Sequence, residues 1–265
     1  MASLPFQGKA AALSSDGLAE VAACLGVYAP EIWTVLAVET SGCGYLPDRR
    51  PRILFERHIF HQLTQGQYAD RYISHPNPGG YGRRGAHQYN RLGRAINKDR
   101  AAALQSASWG IGQIMGMNYA RAGFQNVEDM VAAMSESEDR QLTAMGAFLR
   151  STKLAASLQA HDWASFARGY NGPNYAINRY HIRLNSEYQK FSTGALPDLS
   201  VRAAQLYLTY LGFDPGGIDG VAGEHTLAAL AAFQNENRIS PTTIVDASCV
   251  AQLQAALCKA AAVAV

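Results

Sequence analysis

The segment Pro30–Ser41, PEIWTVLAVETS, predicts an amphipathic helix whose apolar face carries an acid. Positions spaced i, i+3, i+4 and i+7 share one face of a helix, and here they are Ile32, Val35, Leu36 and Glu39. A carboxyl group among apolar neighbours has a raised pKa, so it stays protonated near neutral pH and can donate a proton. The segment therefore offers either a catalytic acid or a structural Glu paired with an Arg.

The residues around this helix predict further short elements. Gly42 is expected to cap the helix and leave Glu39 in its last turn beside a loop. A short buried strand is expected in Arg52–Glu56, and the Pro- and Gly-rich stretch Ser74–Gly85 is expected to form an ordered loop. Apolar periodicity predicts the other helices: Leu18–Leu25, Leu92–Leu104, one from Ile111 onward, Val127–Met134, Glu138–Ser151 and Trp163–Tyr170.

Length and composition predict a soluble chain with one large and one small domain. The chain has 265 residues, of which 48% are hydrophobic and 17% charged. Ser192–Ser200, STGALPDLS, has the composition of a linker, so we place the domains at residues 1–195 and 196–265 and expect the second to be an independent unit. Residues 1–23 do not have the pattern of a secretory signal, and Ala101–Ala120 is too polar for a membrane span.

Charge is distributed unevenly along the chain although the net charge is only +2. Eleven Lys or Arg residues lie between Arg49 and Arg100, which suggests an anionic partner, or else a solvated basic face. The four cysteines lack metal-ligand spacing and are expected to be free, mostly buried thiols, unless Cys24 and Cys43 pair after export. His58 and His61 have no evident third ligand. No metal or cofactor is therefore expected.

Four motifs occur in an order that resembles the lysozyme superfamily, especially goose-type lysozymes and lytic transglycosylases. They are VETSG with Glu39, ILFERH with Glu56, SWGIGQIMG with Gly110 to Gln113, and ARGYNGP with Tyr170 to Gly172. Residues from about 20 to 191 resemble the N-acetylmuramidase domain of modular phage endolysins. This resemblance implies a mainly α, lysozyme-like catalytic domain with a small β element.

The resemblance also implies roles for two carboxylates. Glu39 would protonate the leaving oxygen of the scissile glycosidic bond. Glu56, at the end of a strand, would orient a water or stabilise an oxocarbenium ion, unless it is only an ion-pair partner of Arg57 or Arg52. Asp48 is a weaker candidate, because turn chemistry alone explains the residue.

Substrate contacts are expected from the other two motifs. Gly110 and Gly112 would let the backbone approach the sugar, and the amide of Gln113 would bond it, or else bond the backbone in a helix start. Tyr170 and Asn171 would line the cleft by family resemblance. Three aromatic residues could stack on sugar faces or belong to the core: Trp109, Tyr81 and Tyr175.

The C-terminal unit is expected to be a small bundle of three helices, at Val201–Gly212, Leu227–Gln234 and Cys249–Leu257. Its stretch IDGVAGEHTLAALAAFQ resembles the peptidoglycan-binding domain. The resemblance assigns wall binding to the loop that carries Asp219, Gly220, Gly223 and Thr226, although most of those residue types serve the fold itself.

These features together predict an endolysin that hydrolyses the β-1,4 bond between N-acetylmuramic acid and N-acetylglucosamine and so lyses the host cell. The expected partner is bacterial peptidoglycan, bound by a monomer without nucleic acid or stable membrane insertion. The protein would be made in the host cytoplasm and act in the periplasm after membrane permeabilisation. A lytic transglycosylase, a non-catalytic wall-binding protein and a secreted antibacterial effector are the alternatives.

Overall fold

The described part of the chain consists of helices with one small sheet. The computed structural model describes residues 4–39 and 42–263, apart from the side chains of Glu39 and residues 261–263. The helices before the linker are α1 Ser15–Leu25, α2 Ala29–Glu39, α3 Arg57–Leu63, α4 His87–Ile96, α5 Arg100–Gln105, α6 Val127–Glu136, α7 Glu138–Ser151, α8 Leu154–Gln159, α9 Trp163–Asn171 and α10 Tyr180–Thr193. The mainly helical class is confirmed.

The sheet has three short antiparallel strands. They are β1 Ile53–Phe55, β2 Ala107–Trp109 and β3 Ile114–Met115, in the order β1-β2-β3. Phe55 lies opposite Ala107, and Trp109 lies opposite Ile114. The predicted strand in Arg52–Glu56 is therefore confirmed.

Two helix predictions in the middle of the chain are wrong. The expected single helix Leu92–Leu104 is divided into α4 and α5, because Asp99 is extended and its side chain caps α5 by accepting from the Ala102 N–H. The helix expected from Ile111 onward is replaced by the β2-β3 hairpin. Its turn places Gly110 and Gln113 at φ +69° and +46°, outside the helical range.

Three helices had no sequence prediction. The helix α10 packs along α2, and its Arg183 Nη2 donates to the Val38 carbonyl in the last turn of α2 at 3.2 Å. The other two, α3 and α8, are short. Their apolar positions are too few to give a periodic signal.

The main core lies between α1, α2, α7 and the sheet. The buried side chains include Leu25, Ile32, Phe55 and Met145, all at most 1% exposed. The helix α1 begins at the side-chain cap of Ser14 and ends before Gly26, which is left-handed at φ +65°. These residues fix the approach of the chain to α2.

The C-terminal unit is the expected three-helix bundle. Its helices are α11 Leu199–Tyr210, α12 Glu224–Glu236 and α13 Ala247–Val263. Leu208, Leu230, Phe233 and Leu253 form its core at no more than 1% exposure. Each predicted helix is present, the first shifted by two residues toward the N-terminus and the other two with wider bounds.

A buried joint connects this bundle to the rest of the chain, which the expectation of an independent unit did not include. Leu206 and Ile218 pack with Ala10, Cys43 and Tyr45. Hydroxyl groups of α11 also bond the N-terminal backbone of the chain at about residues 10–12.

No single helix within residues 4–39 and 42–263 is long and apolar enough to cross a membrane. The bent pair formed by α1 and Ala29–Val38 passes the same test of length and composition when taken together. Leu18, Val21 and Ile32 of that pair are buried in the main core.

Candidate active site

A cleft of about 700 Å³ lies between the end of α2, β1, the β2-β3 turn and the beginning of α10. Two glycines and several polar side chains line it beside apolar ones. Those relevant to chemistry are Val38, Cys43, Arg52, Glu56, Tyr81, Arg84, Ser108, Gly110, Gln113, Tyr180 and Arg183. The cleft therefore brings together residues from three of the four sequence motifs.

Glu39 is the last residue of α2. The residue before it, Val38, lines the cleft and is 6% exposed. Glu39 is thus in the last turn of the helix, as predicted, and that turn lies at the cleft. The expected burial of its carboxyl group concerns a side chain outside the described residues.

Glu56 enters the cleft directly after β1, where it precedes the first residue of α3. Its Oε2 lies 3.1 Å from Nδ1 of His58, and both side chains are largely buried. Burial raises the pKa of Glu56, while the nearby His58 and a hydrogen bond from Tyr81 oppose that rise. The partner is thus His58, in place of the Arg57 or Arg52 considered from sequence.

The two arginines beside Glu56 bond backbone carbonyls. Arg57 Nη1 donates to the Arg71 carbonyl at 3.3 Å, and Arg52 Nε donates to the Tyr45 carbonyl at 3.0 Å. Glu56 therefore combines burial and access to the cleft with two titratable neighbours, His58 and Tyr81. Such a group can exchange a proton with a water molecule in the cleft.

Gln113 closes the turn of the β2-β3 hairpin with its side-chain amide. Its Oε1 accepts from Ser108 Oγ at 2.9 Å, and its Nε2 donates to the carbonyls of Gly110 at 2.8 Å and Arg52 at 3.3 Å. The amide lines the cleft, yet both of its ends already have protein partners. Its first role is to shape the wall of the cleft.

Gly110 is required by the packing under this turn. Its φ is +69°, and a Cβ there would lie 2.6 Å from the side chain of Gln141. Gln141 is 1% exposed and accepts a hydrogen bond from the Ile111 N–H at 2.6 Å. The Gly-x-x-Gln turn thus packs against α7.

Tyr170 joins the fourth motif to the third. Its hydroxyl donates to the Gly112 carbonyl at 2.5 Å, and its ring stacks on Phe166 with centroids 5.5 Å apart. Asn171 follows as the last residue of α9. The motif therefore supports the turn that forms one wall of the cleft.

Comparisons with known proteins agree with this geometry. The family model described as N-acetylmuramidase matches residues 28–192. The chain belongs to the N-acetylmuramidase family.

The muramidase is thus a glycoside hydrolase with a second module. A peptidoglycan-binding domain model matches residues 198–253. Among solved structures, the crystal structure of Burkholderia AP3 phage endolysin is 36% identical with a TM-score of 0.63, covering 71% of this chain and 72% of that one. The comparison with curated proteins gave no match. The resemblances to the N-acetylmuramidase domain of phage endolysins and to the peptidoglycan-binding domain are confirmed.

Aromatic residues of the muramidase differ in their access to the cleft. Trp109 is fully buried, with its indole N–H donating to the Leu104 carbonyl at 3.0 Å, so a sugar-stacking role for it is wrong. Tyr81 is 38% exposed and lines the cleft. Tyr175 packs against His181 and Arg168 outside the cleft lining.

Asp48 of the muramidase belongs to its own turn. Its carboxylate accepts from the Arg50 backbone at 3.1 Å and pairs with the Arg50 guanidinium at 2.6 Å. Glu56, which lines the cleft, is therefore the stronger second carboxylate. His61 contacts Ser74 Oγ at 2.9 Å through Nδ1, and the described residues contain no group of His, Cys, Asp and Glu arranged to hold a metal ion.

Positive charge is concentrated in the cleft of the muramidase. Arg52, Arg84 and Arg183 line it, with Glu56 as their acidic counterpart among the described side chains. Arg52 and Arg84 belong to the basic stretch noted in the sequence, whereas Arg183 lies in α10. An anionic polymer would be attracted here.

The loop assigned to wall binding is organised by Gln205, a residue that the sequence analysis missed. The Gln205 amide donates to Asp219 Oδ1 at 2.9 Å and to Thr226 Oγ1 at 3.0 Å, and accepts from the Gly220 N–H at 2.9 Å. Thr226 is 2% exposed, so its assignment to direct wall contact is corrected to a structural one. Gly223 is exposed at the start of α12.

A second cavity of about 640 Å³ lies between the two units of the chain. Asp219 and Gly220 line it together with Trp33 and Lys190. The loop assigned to wall binding thus faces a cavity that includes residues of the muramidase domain. No sequence pattern could have indicated this, because the cavity exists only where the units meet.

Proposed function

We propose that this muramidase is a modular endolysin that hydrolyses the β-1,4 bond between N-acetylmuramic acid and N-acetylglucosamine in peptidoglycan. The observation that carries the proposal is the position of Glu56 in a cleft that the last turn of α2 also lines. Glycosidases of this type need two carboxyl groups at the scissile bond. Glu39 and Glu56 are the acidic residues of this chain that its motifs assign to the cleft.

Glu39 acts as the acid in this proposal. It protonates the oxygen that leaves from C1 of N-acetylmuramic acid, as the bond to that carbon breaks. Glu56 either accepts a proton from the water that attacks C1 or stabilises the oxocarbenium ion. The raised pKa of Glu56, caused by burial, keeps its carboxylate basic enough to accept that proton.

The hairpin turn positions the substrate. Gly110 lines the cleft, and both Gly110 and Gly112 let the turn pack closely on side chains of α7, while Gln113 keeps the turn closed. Tyr170 acts behind the turn through its bond to the Gly112 carbonyl, and Asn171 follows it at the end of α9. Exposed Tyr81 offers a ring face to a sugar.

Wall binding is assigned to residues 196–265, with residues 1–195 as the catalytic domain. Asp219, Gly220 and the exposed Gly223 remain candidates for contact with the polymer. The anionic groups of peptidoglycan suit the arginines of the cleft. A monomer made in the cytoplasm of an infected cell would reach the wall in the periplasm after the membrane is permeabilised.

The products of purified sacculi, analysed by mass spectrometry, test this function. We expect reducing-end N-acetylmuramic acid after incubation with the full chain. Products with 1,6-anhydro ends would instead identify a lytic transglycosylase, in which one Glu serves as acid and base without water. Binding to sacculi without any release of fragments would identify a non-catalytic wall-binding protein.

A further inference from the structure

A buried ion pair joins the two units of the chain. Glu138, the first residue of α7, is 0% exposed, and Arg202 of α11 is 2% exposed. Arg202 Nη1 and Nη2 donate to the two carboxylate oxygens of Glu138 at 2.5 and 2.9 Å. Because a buried charge without a partner is very costly, each unit supplies a charge that the other requires.

The same two residues hold the chain that leaves α2. Gly44 N–H donates to Glu138 Oε1 at 2.8 Å, and Arg202 Nη2 donates to the Gly42 carbonyl at 2.8 Å. Gly42 lies only three residues after Glu39 in the sequence. A guanidinium from the C-terminal unit thus holds the backbone at Gly42, close in sequence to the proposed acid.

Backbone hydrogen bonds extend this anchor to the wall of the cleft. The Gly44 carbonyl accepts from the Arg52 N–H at 2.7 Å, and the Arg52 carbonyl accepts from the Gly110 N–H at 2.9 Å. Gln113 Nε2 donates to the same Arg52 carbonyl. A continuous set of bonds therefore leads from Arg202 to the Gly-x-x-Gln turn.

Close packing leaves Gly42 and Cys43 little freedom to move. A Cβ at Gly42 would lie 2.9 Å from the Ile218 carbonyl oxygen, which belongs to the wall-binding loop. Cys43 is 1% exposed and packs with Leu206 of α11 in the same joint. The C-terminal unit is thus in direct contact with the segment between α2 and β1.

We propose that Arg202 is a positioning residue of the muramidase cleft, acting through Glu138 and the Gly42 carbonyl on the backbone at residues 42–44, which leads to the Gly-x-x-Gln turn. This inference rests on the proposed roles of Glu39 and Glu56. It gives the C-terminal unit a part in turnover itself, in addition to wall binding. A module that acted only as a tether would have no effect on a soluble substrate.

The test uses the full chain on soluble, uncrosslinked glycan strands. Arg202→Met should lower kcat about tenfold or more, because small displacements of reacting groups are costly in rate, while KM and sacculus binding change little. Arg202→Lys keeps the charge with fewer donors and should recover part of kcat. The matched control is Lys259→Met, which removes an exposed positive charge of α13 and should leave kcat and KM on soluble strands unchanged.

A double variant separates positioning from loss of fold. Arg202→Met leaves the Glu138 carboxylate buried and unpaired, so its melting temperature should fall. Adding Glu138→Gln removes that charge and should restore much of the melting temperature, while kcat stays low because Gly42 still lacks its donor.

Two results would overturn the inference. One is a folded Arg202→Met variant with the kcat of the wild type. The other is a double variant whose kcat returns together with its melting temperature, as a merely structural role requires. Failure of the wild type to release reducing ends would instead contradict the proposed function.

Discussion

The hydroxyl of Tyr170 donates a 2.5 Å hydrogen bond to the backbone carbonyl of Gly112, and so connects two sequence motifs that are 58 residues apart. Gly112 belongs to the turn between β2 and β3, whereas Tyr170 lies in α9. The bond explains why a Tyr-Asn-Gly motif accompanies a Gly-x-x-Gln motif in this chain. The tyrosine fixes the turn that forms a wall of the cleft.

Tyr170→Phe should weaken this connection without creating a cavity. We expect a loss of about 1 kcal/mol in the free energy of unfolding, the usual net value of one hydrogen bond. We also expect a lower kcat, because the turn would be held less firmly. Urea denaturation and assays on soluble glycan strands measure both effects.

Tyr28→Phe is the matched control. Because Tyr28 is 81% exposed, this variant should keep the free energy of unfolding and the kcat of the wild type. Equal stability and equal kcat in Tyr170→Phe and the wild type would show that the bond does not support the turn.

The elements at the cleft could be predicted from sequence because their signals are local. The helix that ends at Glu39 follows from apolar spacing, and β1 follows from three adjacent apolar residues. The turn of Gly110 and Gln113 follows from its glycines, although a helix was wrongly expected from Ile111 onward. Local chemistry also explains why Asp48 was the weaker candidate.

Contacts between distant segments could not be predicted in this way. Nothing near Glu138 indicates that its partner is Arg202, 64 residues later. The Gln205 amide organises the wall-binding loop from another helix, and His58 replaces the arginines expected beside Glu56. Such pairs depend on how the helices pack, and one sequence carries no periodic signal for them.

Glu39→Gln should abolish lysis while the protein keeps its fold and its binding to sacculi. The amide has nearly the shape of the carboxyl group but cannot donate the required proton. Turbidity of a sacculus suspension measures lysis, and cosedimentation measures binding. Glu20→Gln, an exposed change in α1, is the control and should remain fully active. More than a few per cent of residual lysis would remove Glu39 as the acid.

The pH profile should report the environment of Glu56. Burial raises the pKa of Glu56, and His58 opposes that rise, so His58→Ala should raise the pKa further. If Glu56 must be ionised to act on water, the acidic limb of kcat/KM should move to higher pH in this variant. The exposed His225 offers the control, as His225→Ala should leave the profile unchanged.

Glu56→Gln is the companion experiment, and it should lose most of the activity at every pH. A shift of the acidic limb to lower pH in His58→Ala would contradict the role of Glu56 as a base. So would full activity of Glu56→Gln.

Arg84→Gln should weaken substrate binding more than turnover. Arg84 is exposed and lines the cleft, so it can attract anionic groups of peptidoglycan without supporting the fold. We expect KM on sacculi to rise, and the effect to shrink as salt screens the interaction. Arg121→Gln removes an exposed arginine outside the cleft lining and is the control. Equal KM values for the two variants at low salt would exclude this role.

Removing residues 196–265 should destabilise the catalytic domain, in contrast to the sequence-based expectation of independent units. The truncated chain keeps Glu138 but loses Arg202, and breaking such a buried pair costs about 3–5 kcal/mol. It also loses the Tyr210 hydroxyl that donates to the Ala10 carbonyl and the Tyr207 hydroxyl that accepts from the Ala12 N–H. We therefore expect a lower melting temperature and a lower kcat on soluble strands.

The pH dependence of stability identifies the ion pair as the cause of this loss. Burial alone would raise the pKa of Glu138, but the charge of Arg202 and its hydrogen bonds outweigh burial and hold that pKa below its ordinary value. The pair therefore stabilises the full chain above the unfolded pKa, about 4.3, and this contribution disappears as the pH falls through the folded pKa. The difference in melting temperature between the full and truncated chains should accordingly be largest near neutral pH and shrink in acid.

Glu138→Gln in the truncated chain should recover part of its stability, because the unpaired charge is gone. Equal melting temperatures of the truncated and full chains at neutral pH would show that the joint contributes nothing to the stability of the catalytic domain.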